Sequence, residues 1–300
     1  MALRLHITER QRRLGVELRK LRENAGLNLI EAAALIGVGR PHMTHIEAAR
    51  TGISTERLRT LATEYGCTSG TYVDELVRLA ESNGKGWWSD YRKVLPQQFL
   101  DVAELEDRAT SIASYETLLI PGLLQTKSYM RTLFQNARPG ALPAEIDTLV
   151  RFRLARQHIL TGAQPPQLHV VIHEAALRMV VGSSQIMRAQ LAHLIRSSAD
   201  PHVTIQILPF DQGTQAWRSA PFLLLSPGVQ GLETVFVEHP AAGMTLHDGE
   251  TISQYQSTIT ALGDSALAPI VNETSPVRPE DRDSLGLVQH IHYTHSGAHR

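Results

Sequence analysis

Apolar residues recur every three or four positions through residues 1–81, a spacing that lines them along one side of successive α-helices. Leu14, Leu18 and Leu21 mark a helix over about 10–24, and Leu35 and Ile36 close a second over 29–36. Met43 and Ile46 mark a third over 40–48, and Leu58, Leu61 and Ala62 a fourth over 54–65. Val73, Leu76, Val77 and Ala80 mark a fifth over 71–81. The polar, glycine-containing run at 82–86 then breaks the pattern and reads as a linker. Beyond it the period is mixed. A helix over 90–105, interrupted near Pro96, precedes strand character from Thr110 to Ile120. Helices are expected from Thr126 to Gln135, Pro143 to Leu160, Glu174 to Val180, Ser184 to Ser198 and Glu250 to Leu262. Strands are expected over Leu168–Ile172, Val203–Leu208, Phe222–Leu225 and Thr234–Glu238. The fold class implied is multidomain, α followed by α+β. A five-helix N-terminal domain occupies 1–81, a linker 82–86 and a mixed domain 87–268, with a disordered polar tail over 269–300.

The second and third helices meet at Ala-Ala-Leu-Ile-Gly-Val-Gly-Arg-Pro. Ala33 is small where two helices must pass closely, and Gly37 can adopt the left-handed backbone of a sharp turn. Gly39 can serve as the N-cap, and Pro41 stands in the first helical turn, where its missing N–H costs nothing. With Met43 and Ile46 turned inward, Arg40, Pro41, His42, Thr44 and His45 are left facing outward. This is a helix-turn-helix pattern, and its third helix is dimensioned for the major groove of double-stranded DNA. Arg22, at the end of the first helix, stands in register with Glu47 at the end of the third, so a structural ion pair between them is expected.

Charge supports this placement of the DNA surface. The whole chain carries a formal −1, but residues 1–65 hold eleven basic against seven acidic residues, a net of +4 that leaves −5 for the remainder. The single cysteine, Cys67, excludes an internal disulfide and suits a reducing compartment. No apolar run approaches the ~18 residues of a membrane span, and a signal-peptide core is lacking. A cytoplasmic protein with no membrane association is expected.

Other residues resemble chemistry without completing it. His173-Glu174 lacks the second histidine of a zinc protease, since position 177 is Leu. His290, His292, His295 and His299 gather in the tail without a scaffold to organise a metal. Neither a phosphate-binding glycine loop nor a nucleophile elbow is present. No enzyme activity, cofactor or metal is therefore expected. In Tyr115–Thr126, Leu118, Leu119, Leu123 and Leu124 exceed what one turn buries by itself; they belong either to the domain's own core or to a partner-binding groove. Arg156 is expected in an ion pair, with Glu116 or Glu174 as candidate partners.

Residues 14–65 resemble the XRE-type, lambda-repressor-like helix-turn-helix family. The strings IPGLLQTKSYMRTL (120–133), RFRLARQHIL (151–160), HEAALRMVVGSSQIMRAQLAHL (173–194), VTIQILPFDQGTQAW (203–217) and APFLLL (220–225) resemble the actinobacterial WhiJ-like, antitoxin-like regulators. Two departures stand out: His173 replaces the usual acidic residue, and Gly-Val-Gly-Arg-Pro replaces a serine-containing start to the recognition helix. The resemblance implies base contacts from Arg40, Pro41, Thr44 and His45, and backbone contacts from Asn28, His42 and Arg50. It also implies a transcriptional regulator binding a DNA operator as a homodimer, whose C-terminal domain senses a small partner protein encoded nearby or a small-molecule ligand. The alternative is an antitoxin-like module that sequesters a small toxin-like partner and uses DNA binding for autoregulation.

Overall fold

The computed structural model describes residues 3–4, 7–212, 220–238, 243–271 and 283–295. The chain divides into two compact units, Met1–Leu105 with Val229–Leu232, and Glu106–Gly228 with Glu233–Arg300. The first boundary thus falls later than the expected linker at 82–86. The polar break there is followed by a 3-10 turn, Trp87–Tyr91, that still belongs to the first unit.

Unit 1 begins with α1 (Glu9–Asn24), α2 (Leu29–Leu35), α3 (Arg40–Glu47), α4 (Thr55–Glu64) and α5 (Gly70–Glu81). Side chains fix most of the helix starts. Thr8 Oγ1 accepts from Gln11 N while Gln11 Oε1 accepts from Thr8 N, so two otherwise orphaned N–H groups are satisfied reciprocally. Asn28 and Glu31 do the same for α2, and Ser54 and Ser69 cap α4 and α5. The interior contains Leu14, Leu18, Ala32, Ala33, Met43, Ile46, Leu58, Leu61, Ala62 and Leu76. Leu232 joins it from the distant segment that completes the unit, and Arg13 Nη2 donates to Gly231 O at 2.5 Å. Gly15 marks the closest approach of α1 to α3. A Cβ there would stand 2.9 Å from the carbonyl carbon of Glu47 and overlap its oxygen.

Helix α6 (Gln97–Glu106) runs to the unit boundary. Unit 2 is built on a six-stranded sheet in the order β3-β2-β1-β4-β5-β6. Strands β1 (Ser111–Glu116), β2 (Gln167–His173) and β3 (Val203–Leu208) are parallel and joined through helices. Strands β4 (Phe222–Ser226), β5 (Thr234–Val237) and β6 (Met244–Leu246) continue antiparallel from the other side of β1. Between β1 and β2 lie α7 (Lys127–Ala137) and α8 (Pro143–Gln157), and between β2 and β3 lie α9 (Glu174–Arg178) and α10 (Ser184–Ser197). Helix α11 (Gly249–Ser265) covers one sheet face, packing Ile252, Ile259 and Leu262 against Tyr115, Val171, Leu208, Phe222 and Val235.

The expected disordered tail is corrected over its described part. Helix α12 (Ser284–Thr294) buries Val288 and Ile291 and packs on α10 and β3. The exposed edge of β3 explains this order. Leu267 N donates to Ile207 O and Ile270 N to Ile205 O, each at 2.9 Å, while Ser284 Oγ accepts from Ile207 N at 2.9 Å. These bonds satisfy backbone groups that an open edge would leave unpaired.

The four leucines near Pro121 separate. Leu118 is 53% exposed and Leu119 half-buried, whereas Leu123 and Leu124 are only 5% and 1% exposed. Leu123 and Leu124 therefore belong to the unit's interior, which corrects their candidacy as a free partner face. The turn carrying them is held by side chains. Gln190 Nε2 donates to Leu124 O at 2.7 Å, Gln125 Nε2 to Ile120 O at 2.6 Å, and Gln157 Nε2 to Gly122 O and Gln125 O at 3.0 and 2.8 Å. Buried carbonyls in an irregular segment need such partners, which gives Gln125, Gln157 and Gln190 a structural role. Arg156 pairs with neither expected carboxylate. It makes a two-pronged pair with Glu106, at 2.8 and 2.6 Å, while Glu174 bonds Arg178 and the amide of Phe210.

Candidate nucleic-acid interface

The turn into α3 is made by backbone geometry. Gly37 has φ +64°, a conformation costly for a residue with a Cβ, and Val38 N donates to Ala33 O at 3.0 Å to close the end of α2. Gly39 is the N-cap of α3 without a side-chain bond, and Pro41 lies within its first turn. Met43 and Ile46 are buried, so the rotation of α3 about its axis is set. Arg40, Pro41 and Thr44 are then exposed, with His42 and His45 half-buried.

The axial position is set by the Arg22–Glu47 pair. Arg22 Nε donates to Glu47 Oε1 at 2.6 Å and Nη2 to Oε2 at 3.0 Å, with the two side chains 8% and 7% exposed. Arg22 Nη1 also donates to Leu27 O at 2.8 Å, so one guanidinium joins the end of α1, the following loop and the end of α3. Its fork matches the carboxylate geometry. The Glu47 hydrogen bond holds the Arg22 guanidinium above its usual basicity.

The outward side chains differ in what they can offer. Arg40 and Arg50 are exposed and have no hydrogen bond or carboxylate partner from their guanidinium groups among the described residues, and Arg57 is in the same state on α4. Most neighbouring cations are already paired: Arg12 with Glu9, Arg19 with Glu23, Lys20 with Glu17 and Arg59 with Asp74. Uncompensated positive charge therefore collects between residues 40 and 57, where it can meet phosphates and guanine edges. Thr44 Oγ1 donates to Arg40 O at 3.1 Å, which leaves its methyl group and a lone pair for a ligand. His45 is less available than its helical position suggests, because Nδ1 is buried without a hydrogen-bond partner. Asn28 uses Oδ1 to cap α2, accepting from Ile30 N at 2.8 Å and Glu31 N at 3.1 Å, so its amide NH2 is the group left for a phosphate.

Arg4 is a residue that sequence spacing does not select. Its backbone N donates to Arg50 O at 2.8 Å and its Nη1 to Ala49 O at 3.1 Å, so the N-terminal arm secures the turn after α3. That turn holds Ala49 at φ +57°, an uncommon conformation for a non-glycine residue. Only the clustering of arginine near the N-terminus hinted at Arg4.

Two histidines of the metal-like motifs contact backbone groups. His173 caps α9, its Nδ1 accepting from Ala175 N at 3.2 Å, and burial lowers its pKa. His295 lies 3.4 Å from Leu177 O through Nε2, and His299 falls outside the described residues. Among the described residues, no three His, Cys, Asp or Glu side chains gather as a metal site, and no helix is long and apolar enough to cross a membrane.

Two short helices about a glycine turn, with the second held by α1 and Arg40 on it unpaired among the described residues, define a helix-turn-helix domain. Residues 13–76 match the family described as a helix-turn-helix domain. Residues 99–271 match a domain of unknown function (DUF5753), and as that match spans more than half of the chain, the protein belongs to this family. Neither a curated protein nor a solved structure matches it.

Proposed function

We propose that this protein is a sequence-specific, non-catalytic transcriptional regulator of the XRE and WhiJ-like type, acting in the cytoplasm. In this reading α3 enters the major groove of an operator. Arg40 pairs with guanine O6 and N7, Pro41 and the Thr44 methyl meet thymine methyls, and Asn28, His42 and Arg50 contact the DNA backbone. The observation that carries the reading is the pair of guanidinium groups, Arg40 and Arg50, that are unengaged among the described residues, beside a helix fixed by Met43, Ile46 and the Arg22–Glu47 pair. The protein acts as a homodimer on a partly palindromic site, the usual symmetry match for this motif, and unit 2 senses a small partner protein or ligand. The antitoxin-like alternative needs a free apolar capture face, and of the four leucines considered for it only Leu118 is exposed.

Selection from a random duplex library tests the proposal. One operator-like sequence should be enriched, and its affinity should fall as salt rises, by about one ion released per phosphate contact. Arg50→Ala should lower that salt slope by roughly one on every sequence. Failure to enrich any sequence would contradict sequence-specific recognition.

A further inference from the structure

We propose that unit 2 holds a binding site for a small zwitterion, an α-amino acid or close derivative, between Glu116 at the end of β1 and Arg153 of α8. The proposal rests on the reading of unit 2 as a sensor and gives that sensor its ligand class. The location follows from topology. From β1 the chain moves outward to β2 and β3, then returns to the opposite side of β1 for β4 and β5. Because β4 runs antiparallel to β1 and β5 antiparallel to β4, this end of the sheet gathers the carboxyl ends of β1 and β5 beside the amino end of β4. Glu116 is the last residue of β1, and Glu238 follows β5 at the same end, as the Tyr115–Phe222–Val237 register shows.

The side chains there are incompletely satisfied. Glu116 is half-buried and forms no hydrogen bond or ion pair among the described residues, although Arg153 and Arg156 lie within electrostatic range. Arg156 is neutralised by Glu106. Arg153 Nη1 donates to Gln125 Oε1 at 2.7 Å, and its guanidinium lies 4.5 Å over the ring of Phe134, while its remaining N–H groups have no partner among the described residues. Gly122 has no side chain where a Cβ would rest 3.8 Å from Arg153 Nε. Both groups are half-buried, and burial pushes Glu116 up to about 8 and Arg153 down to about 10. Glu238, and Glu116 once it gives up its proton, favour a cation, and Arg153 favours an anion. A carboxylate placed on Arg153 and an ammonium placed between the glutamates answer both. The charged and titratable groups acting on Glu116 are Arg153 and Arg156 of α8, Glu238 after β5 and Tyr129 of α7.

The full-length protein should be screened by thermal shift against each standard L-amino acid, with acetate and methylammonium as single-charge controls. At least one amino acid should raise the melting temperature where neither control does. Because burial raises Glu116 to about 8, an ammonium that draws its pKa back down should release a proton on binding, making the calorimetric enthalpy differ between phosphate and Tris buffers. Glu116→Gln resembles the protonated form and should fold normally, while losing roughly tenfold to a hundredfold in affinity together with the buffer dependence. Arg153→Gln should weaken binding similarly. The site is overturned if no amino acid binds, or if either variant binds with unchanged affinity. An amino acid that binds here but leaves DNA affinity unchanged preserves the site and refutes the sensor reading. Intact DNA recognition without amino-acid binding refutes the site alone.

Discussion

Removal of Glu47 should damage α3 more than its distance from the proposed DNA contacts suggests. In Glu47→Leu, Arg22 loses both prongs of its carboxylate, at 2.6 and 3.0 Å, and keeps from this cluster its bonds to Leu27 O and the exposed Glu23. With the guanidinium only 8% exposed, water cannot readily replace the missing partner. Breaking a buried pair from one side typically costs ~3–5 kcal/mol, a large share of a domain stability of about 5–15 kcal/mol. Replacing both residues, as Arg22→Met with Glu47→Leu, should recover most of that loss because no lone charge remains. Hydrogen exchange on the amides of α1 and α3, followed through denaturant, isolates unit 1 from the second unit. The expected order of protection is wild type, double variant, then either single variant. Additive losses in the double variant would refute the argument that an uncompensated charge is the cause.

Further outcomes follow from the same geometry. Gly15→Ala should destabilise unit 1 by about 1–3 kcal/mol, measured by exchange in α1, because its methyl meets the Glu47 carbonyl; wild-type protection would mean the helices are free to separate. Asn28→Asp should retain the cap of α2 yet weaken DNA binding by adding negative charge, whereas Asn28→Ala should lose about 0.5–2 kcal/mol of stability. Equal DNA affinity for Asn28→Asp and wild type would remove Asn28 from the interface. Glu116 is raised from the ordinary 4.5 to about 8, so the folded state retains a proton that the unfolded state releases between those values. Unit 2 should therefore lose stability as pH rises through that window, and Glu116→Gln should flatten the profile in pH-dependent unfolding; an identical slope in the variant would contradict the assigned burial.

The N-terminal unit was legible because its determinants are local. The cap Gly39, the turn at Gly37 and the inward pair Met43 and Ile46 all lie within a few residues of what they control. The less legible features depend on distant partners. Arg156 finds Glu106 fifty positions away, and Leu232 enters the core of unit 1 from a segment between two strands of unit 2. Short apolar spacing in α12, with Val288 and Ile291, is weak by itself; packing on α10 and β3 supplies what local propensity lacks. The partner-binding leucines show the same limit. Periodicity could not separate exposed Leu118 from buried Leu123 and Leu124, because their environments depend on α8 and α10 closing over the turn.

The reading of α3 as the element that recognises sequence is tested most directly by a base-by-base affinity scan of the selected site, using wild-type protein and Arg40→Ala. Arg40→Ala should weaken binding to the preferred site by about 1–3 kcal/mol and erase discrimination at one guanine position, with a much smaller change on random duplex at the same salt. Equal losses on the selected site and random DNA, with every base preference retained, would contradict the assignment of Arg40 and this face of α3 to base recognition.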